Sequence, residues 1–386
     1  MKEETPFVFG KIADTENFTD RESESNRLYQ NFTSLINTII ISPRRWGKTS
    51  LVKSVAKQVT ADNKNIKICM LDIFNVKTES DFYLSLAQNV LQATSSKWEE
   101  LAENAKHFLS RLLPQISFSP DAQSEISFGI SWEELKKNAD EILDLAETIA
   151  KAKNIKIVVC IDEFQSINEF ENPLAFQRKL RSHWQQHQQV TYCLFGSKRS
   201  MLLDIFSNVS MPFYKFGDIM FLDKIDNDIW GDFIQKRFRD TKKDISIEDA
   251  KMLAGLVENH PYYVQQIAQQ SWLRTKKMCD VSIIMEAYEG VKNQLSLLFV
   301  GLIESLTNKQ IDFLHAIVAG ETSLSSKDIL AKYKLGTSAN VIKIRETLLS
   351  KEIIDVNAQN IEIQDPIFKI WLKTDYFKMR NQQLTK

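Results

Sequence analysis

The chain has 386 residues, and at about 150 residues per domain this length favours two or three domains over one. Its 49 lysines and arginines almost balance its 50 aspartates and glutamates, so a protein that binds nucleic acid mainly by charge is disfavoured. With 43% hydrophobic and 26% charged residues, the composition is that of a globular protein, which excludes disordered, collagen-like and disulfide-rich classes.

The cysteines and the N-terminal residues bear on cellular location. Cys69, Cys160 and Cys193 lie in apolar, strand-like runs, and Cys279 is equally isolated, which predicts buried, reduced thiols. The first ten residues lack the positive start and long apolar core of a signal peptide, and no window approaches about 18 uninterrupted apolar residues. We therefore expect a cytoplasmic protein without a membrane segment.

The first 220 residues alternate short β-branched runs with long amphipathic stretches, which is the pattern of a parallel sheet covered by helices. The predicted strands are 38–42, 66–72, 155–161, 190–195 and a shorter run near 216–221. Helical spacing between the second and third strands predicts helices over 81–93, 98–113 and 132–152. Residues 114–130 predict a small hairpin insertion.

The pattern changes after Leu222, where strand-like runs give way to helices. The predicted helices of a helical subdomain are 227–239, 246–257, 261–274 and 281–297. From about residue 301, three more helices (309–319, 326–333 and 338–350) precede a short two-strand ribbon over 353–363. Three helices followed by a ribbon is the order of a winged-helix domain.

The segment 37–55 places a β-branched strand, a tight turn and a helix start around Gly47-Lys48-Thr49. In a phosphate-binding loop, backbone N–H groups face the phosphates, the lysine reaches the β- and γ-phosphates, and the threonine holds Mg²⁺. Ser42 departs from the usual pattern because it stands at the first glycine position. The candidate binding residues are Ser42, Pro43, Arg44, Arg45, Trp46, Gly47, Lys48, Thr49 and Ser50. An ordinary strand-to-helix turn is the alternative interpretation.

Two adjacent carboxylates, Asp162 and Glu163, follow the buried strand 155–161. The carboxyl ends of parallel strands meet at one edge of the sheet, where a phosphate loop also lies. Asp162 could hold Mg²⁺ there with Thr49, while Glu163 polarises the attacking water. Alone, such a pair is more often a solvated turn, but together with the loop it favours a nucleotide hydrolase.

The residues resemble a known family, the prokaryotic, archaeal-type P-loop ATPases of the AAA and signal-transducing superfamily. The resemblance covers nearly the whole chain. It rests on the segments 18–28 (FTDRESESNRL), 43–51 (PRRWGKTSL), 158–167 (VVCIDEFQSI), 195–206 (FGSKRSMLLDIF) and 259–268 (NHPYYVQQIA). It implies an AAA-like α/β core, a helical lid and a winged helix, with ATP or ADP and Mg²⁺ as ligands.

The resemblance also implies roles for residues outside the loop. Arg21 would lie near the adenine, Ser197 would sense the γ-phosphate, and Pro261 would pack near the base from the lid. Each has a plainer alternative: an exposed charged helix for Arg21, a helix cap for Ser197 and a first-turn proline for Pro261.

Hydrolysis in such enzymes often needs an arginine close to the γ-phosphate, from the same chain or a neighbour. The candidates are Arg44, Arg45, Arg178, Arg181 and Arg199. We favour Arg181, although a solvated helix face or a salt bridge explains it as well.

The predicted winged helix raises the question of DNA. Ser338, Asn340, Lys343 and Arg345 lie on its third helix, which could enter a major groove. Residues 301–386 hold only 12 basic against 10 acidic residues, which is little charge for binding a phosphate backbone. In similar ATPases this domain often serves as an intramolecular clamp or a protein-docking module, so DNA is not the favoured partner.

We therefore expect a P-loop core over 1–222, a helical lid over 223–297 and a winged-helix domain over 298–386. The expected function is Mg²⁺-dependent ATP hydrolysis that drives a conformational switch, in a protein that could form oligomers. The alternatives are a non-hydrolysing nucleotide-dependent scaffold and a DNA-binding regulator.

Overall fold

A computed structural model describes residues 5–11, 21–109, 138–357 and 360–379. The predicted hairpin at 114–130 lies outside these residues. The chain forms two compact units, which are Arg21–Asp223 and the combination of Met1–Asp20 with Lys224–Lys386. We call them the core unit and the C-terminal unit.

A five-stranded sheet organises the core unit, and all of its neighbouring strands are parallel. Its strands are β1 (Thr38–Ile41), β2 (Ile66–Asp72), β3 (Lys156–Asp162), β4 (Val190–Gly196) and β5 (Asp218–Phe221). Their order across the sheet is β2-β3-β4-β1-β5. The runs read as strands from the sequence are thus confirmed, and the central ones are buried because both faces are covered.

Helices of ordinary length cover this sheet. They are α1 (Glu22–Thr33), α2 (Lys48–Asp62), α3 (Glu79–Ala93), α4 (Trp98–Leu109), α5 (Ala139–Leu143), α6 (Leu145–Lys153), α7 (Pro173–Trp184) and α8 (Arg199–Ser207), with a 3-10 turn at Phe164–Glu169. The helix predicted over 132–152 is divided at Asp144. The Asp144 carboxylate lies 2.9 Å from His183 Nδ1 and 3.0 Å from His187 Nε2, so tertiary contacts fix this position.

The C-terminal unit is mainly helical. Its helices are α9 (Asn227–Asp240), α10 (Ile247–Leu256), α11 (Pro261–Arg274), α12 (Val281–Glu304), α13 (Asn308–Val318), α14 (Lys327–Lys332), α15 (Ser338–Ser350) and α16 (Pro366–Trp371), followed by a π-helical turn at Leu372–Tyr376. Two short strands, β6 (Asp244–Ile245) and β7 (Met278–Cys279), pair in parallel. The antiparallel ribbon of β8 (Ile354–Asn357) and β9 (Asn360–Ile363) completes the predicted winged-helix order. None of the described helices combines the length and hydrophobicity needed to span a bilayer.

The N-terminal segment 5–11 belongs to the C-terminal unit, although the sequence placed residues 1–222 in the core. Phe7 is 1% exposed, and its ring lies 5.7 Å from that of Phe238. The N–H of Val8 donates to Gln265 Oε1 at 3.3 Å, so the main chain is also bound to α11. The apolar FVF run therefore completes the core of the helical unit. The division of that unit into lid and winged helix stays a prediction.

All four cysteines are buried free thiols, as predicted. Cys160 and Cys193 face each other across β3 and β4. Burial raises the pKa of Cys160 well above its usual value, which keeps the thiol protonated and unreactive.

Candidate phosphate-binding and catalytic site

The loop that follows β1 has the backbone of an anion site. Gly47 adopts φ +86°, a left-handed conformation that favours glycine, and it directly precedes α2. Arg45 also has positive φ, at 64°. The cap position of α2 is Gly47, so no side-chain cap bond is made there among the described residues, and the first turn of α2 holds no acidic residue. The positive end of the helix dipole is thus not neutralised by a cap or a carboxylate of this helix.

Lys48 is buried at 6% exposure, and the loop itself solvates its ammonium group. Nζ donates to the carbonyl oxygens of Pro43 at 2.8 Å and Ser42 at 3.0 Å, and lies 3.3 Å from Ser42 Oγ. A buried ammonium group is stable only with such partners. Ser42 is completely buried, so the serine at the first glycine position fits the fold and adds an acceptor for the lysine.

Thr49 and Asp162 come together from α2 and β3. Thr49 Oγ1 donates to Asp162 Oδ2 at 2.7 Å, and the N–H of Glu163 donates to Asp162 Oδ1 at 2.8 Å. Burial raises the pKa of Asp162 against the effect of these two hydrogen bonds, and the charges of Glu163 and Asp72 raise it further. Asp72 ends β2 in register with Asp162. These hard oxygen donors fit Mg²⁺.

Glu163 follows β3 with φ 55° and starts the 3-10 turn. Its Oε2 accepts hydrogen bonds from Ser197 Oγ at 2.9 Å and from the Ser197 N–H at 3.3 Å. Gln165 Nε2 donates to the same oxygen. The structure thus brings Glu163 and Ser197 together, and it adds Gln165, which the sequence analysis missed. The only signal for Gln165 was its place two residues after Glu163.

Arg21 and the loop arginines take different positions in the core unit. Arg21 lies just before α1 at 4% exposure, with Nη1 2.8 Å from Glu24 Oε1 and a buried Nη2 that has no hydrogen-bond partner among the described residues. Arg44 and Arg45 are exposed on the loop. The rest of the predicted loop set is half-buried or buried: Pro43, Trp46 and Gly47 are half-buried, and Ser50 is buried.

Arg181 is not brought to the loop within its own chain. Its guanidinium lies 4.8 Å from the centre of the Phe216 ring. Phe216 precedes β5, whose first residue Asp218 pairs with Thr38 at the start of β1. This is the amino edge of the sheet, whereas Lys48 follows the carboxyl end of β1. The buried Phe216 ring offers Arg181 a cation–π contact at this edge, and a catalytic role for Arg181 stays a prediction.

Pro261 lies in the C-terminal unit as the first residue of α11. Two non-glycine residues with positive φ precede it, Glu258 at 52° and Asn259 at 59°. Asn259 is fixed by its carbonyl oxygen, which accepts from Trp230 Nε1 at 3.3 Å. The turn before Pro261 is therefore a defined structure and not a loose connection.

Comparison with known proteins gives the family. A model described as an ATPase domain predominantly from Archaea matches residues 18–267, and one described as a probable winged helix domain matches residues 297–374. The fold is similar to the Walker-type ATPase PABY2304 of Pyrococcus abyssi, with TM-score 0.67, 17% identity, and coverage of 96% of this chain and 100% of that one. It is also similar to the ORC2 protein of Aeropyrum pernix, with TM-score 0.55, 12% identity and 90% of each chain covered. No curated protein sequence matches the chain.

The match to the ATPase domain spans more than half of the chain and contains the loop, Asp162, Glu163 and Ser197. The parallel five-stranded sheet agrees with the fold of the similar Walker-type ATPase, and the ribbon of β8 and β9 lies inside the region matched as a winged helix domain. The chain therefore belongs to the family of P-loop ATPase domains found predominantly in Archaea, joined here to a C-terminal winged helix domain.

Proposed function

We propose that this protein is an Mg²⁺-dependent ATPase that uses bound nucleotide to switch the conformation of its C-terminal unit. The observation that carries the proposal is the convergence of Lys48, the Thr49–Asp162 pair and Glu163 at one edge of the sheet. The similar ORC2 structure was solved as ADPNP and ADP complexes, which supports an adenine nucleotide as the ligand. The cytoplasmic location and any oligomer stay predictions.

Each residue has a distinct task in this proposal. Lys48 would exchange the carbonyl groups of Ser42 and Pro43 for phosphate oxygens. Thr49 and Asp162 would hold Mg²⁺, which supplies positive charge opposite the phosphates. Glu163 would orient the attacking water and take its proton, and Ser197 would keep the carboxylate in place.

The switch role has support inside the C-terminal unit. Tyr263, on the first turn of α11, donates its hydroxyl to Asp365, and Asp365 caps α16 by accepting from the N–H groups of Ile367 and Phe368. Glu258, in the turn before α11, lies 2.6 Å from Lys369 of α16. The start of α11, where Pro261 is expected to contact nucleotide, is thus bonded directly to the last helix of the winged-helix region.

Binding is tested with Lys48→Ala. Loss of the only loop ammonium group should weaken ATP binding roughly 10- to 100-fold, because a charge-assisted hydrogen bond to phosphate is lost. Isothermal calorimetry measures this, with Lys57→Ala as a matched control on the exposed face of α2. Equal ATP affinity in the Lys48 variant and the wild type would remove the phosphate-loop assignment.

Hydrolysis is tested with Glu163→Gln. The amide keeps the shape of the side chain but cannot accept a proton, so kcat should fall by about 100-fold or more while ATP binding is retained. The exposed Glu169→Gln, in the same 3-10 turn, is the control. A wild type that binds ATP but never turns it over would instead favour the non-hydrolysing scaffold.

A further inference from the structure

Gln165 is a buried carboxamide beside Glu163, the proposed catalytic carboxylate. It lies in the 3-10 turn after β3 and is 2% exposed. Its Nε2 donates to Glu163 Oε2, which also receives both donors of Ser197. Its Oε1 is buried and has no hydrogen-bond partner among the described residues.

The chemistry of the neighbour fixes the orientation of this amide. An ionised carboxylate can only accept hydrogen bonds, so the NH₂ group of Gln165 must face Glu163. The reverse orientation would place two oxygens against each other. A buried acceptor without a partner costs free energy, and a leucine or methionine would fill the same space without that cost. The polar group is thus unfavourable for the core, and its visible contact is with Glu163.

The end of β4 is shaped around this contact. A Cβ atom on Gly196 would lie 1.9 Å from Gln165 Oε1 and 3.2 Å from Glu163 Cα. Any larger residue at position 196 would therefore displace the amide. Glycine here lets Gln165 and the adjacent Ser197 approach the same carboxylate oxygen together.

We propose that Gln165 is a positioning residue for Glu163, which holds Oε2 together with Ser197 and leaves Oε1 as the oxygen that receives the proton of the attacking water. The inference rests on the proposed ATPase function. Three donors on Oε2 stop the side chain from rotating, and no described residue donates a hydrogen bond to Oε1. Gln165 itself touches neither nucleotide nor water in this scheme.

The test variant is Gln165→Met, which keeps the length and volume of the side chain and removes only the donor and acceptor. We expect kcat to fall about ten-fold, the size of effect of one lost hydrogen bond to a charged group. KM for ATP and the affinity for a non-hydrolysable ATP analogue should stay within about two-fold of wild type. Gln165→Asn, which withdraws the amide by one methylene group, gives a milder second variant with the same direction of effect.

A double-mutant cycle separates positioning from a general structural effect. Once Glu163→Gln has removed the base, adding Gln165→Met should lower kcat no further, because Gln165 acts only through Glu163. The control is Gln177→Met on α7. Gln177 is also a buried glutamine, at 1% exposure, whose Nε2 donates to Asn168 at 2.8 Å and not to Glu163. This control should leave kcat unchanged.

Three results would overturn the inference while leaving the ATPase proposal intact: an unchanged or raised kcat in Gln165→Met, an equal loss in the Glu163→Gln background, or an equal loss in Gln177→Met. A parallel fall in analogue affinity would also count against it, because a positioning residue acts on the chemical step alone. A wild type without any ATP turnover would reject the proposed hydrolysis and this inference together.

Discussion

The charge on the Asp162 carboxylate favours Mg²⁺ binding but disfavours folding. Its carboxylate is partly buried beside Glu163 and in register with Asp72, and its pKa is raised. The folded protein therefore holds this proton more tightly than the unfolded chain does. The contribution of Asp162 to stability is fully present below the usual aspartate value of about 4 and is lost as pH rises through the raised pKa. At neutral pH the charged carboxylate destabilises the protein.

Asp162→Asn should thus stabilise the nucleotide-free protein at about pH 7. The amide can be accommodated because its oxygen still accepts from the Glu163 N–H while its NH₂ donates to the Thr49 hydroxyl, which can rotate. We expect the Tm of the core unit to rise by roughly 2–4 °C, with the difference shrinking towards about pH 4. Thermal melts at both pH values measure this.

The exposed Asp72→Asn serves as the comparison and should give a smaller rise. A variant at Asp162 that melts at or below the wild-type temperature at neutral pH would show that the buried charge is compensated. The same Asn variant should lose Mg²⁺-dependent nucleotide binding, since a carboxylate ligand is gone. Greater stability together with lost ion binding is the combination that identifies a functional residue.

Sequence reasoning predicted individual site residues unequally well. Lys48, Thr49 and Asp162 could be placed together because parallel strands deliver their carboxyl ends to one edge. Gln165 and Arg181 could not be placed, since their roles depend on side-chain directions. The direction of the Gln165 side chain depends on the space left by Gly196, and that of the Arg181 side chain on its contact with the Phe216 ring. Neither partner is near in the sequence.

At the scale of elements, the N-terminal segment 5–11 forms a strap that packs on the C-terminal unit. Phe7 packs against Phe233 and Phe238, and Gln269 Nε2 donates to the Phe7 carbonyl at 3.3 Å. Phe7→Ala should cost about 3 kcal/mol of local stability, as for other buried phenylalanines. Hydrogen exchange should then rise in α9 and α11, while β1 and β3 keep their protection.

Phe9→Ala is the matched control for the strap, because Phe9 is only half-buried and meets Tyr262 edge to face. Its effect on exchange should be clearly smaller. If Phe7→Ala leaves the hydrogen exchange of α9 and α11 unchanged, residues 5–11 do not stabilise these helices.

The contact between α11 and α16 gives a second prediction at this scale. Tyr263→Phe removes only the hydroxyl that donates to Asp365, while the ring and both backbone donors to Asp365 remain. We expect α16 to stay folded in this variant. The change in α16 hydrogen exchange that ATP causes should be smaller in the variant than in the wild type. An undiminished response would show that the signal reaches the winged-helix region by another route.

Elements were predicted well where apolar periodicity is strong and poorly where it breaks. The limits of α11 and α15 agree with the sequence prediction. Helix α12 continues to Glu304, past the predicted end at 297. The prediction stopped too early because Leu297 and Leu298, which are 81% and 68% exposed, interrupt the apolar pattern of a buried helix face. Helix α8 was anticipated only through the helix-cap interpretation of Ser197, and the division of 132–152 depends on histidines from a distant segment.

At the scale of the whole molecule, the question is what the C-terminal winged helix domain receives from nucleotide binding. The chain passes from the C-terminal unit to the core unit and back, so that unit is linked to the core through both residue 20 and residue 224. The proposed switch requires that nucleotide bind two conformations of the protein with different affinities.

The last prediction separates that switch from a DNA-binding regulator. In α15, Lys343 is exposed and Arg345 half-buried, beside the exposed Glu346. With 12 basic against 10 acidic residues in 301–386, few phosphate contacts are available. Lys343→Glu with Arg345→Glu should therefore change the ATPase rate more than any duplex affinity. The matched control reverses two exposed lysines outside this domain, Lys276→Glu with Lys277→Glu. Fluorescence anisotropy at two salt concentrations decides the matter, because tight, salt-sensitive duplex binding that only the α15 reversal abolishes would establish DNA as the partner.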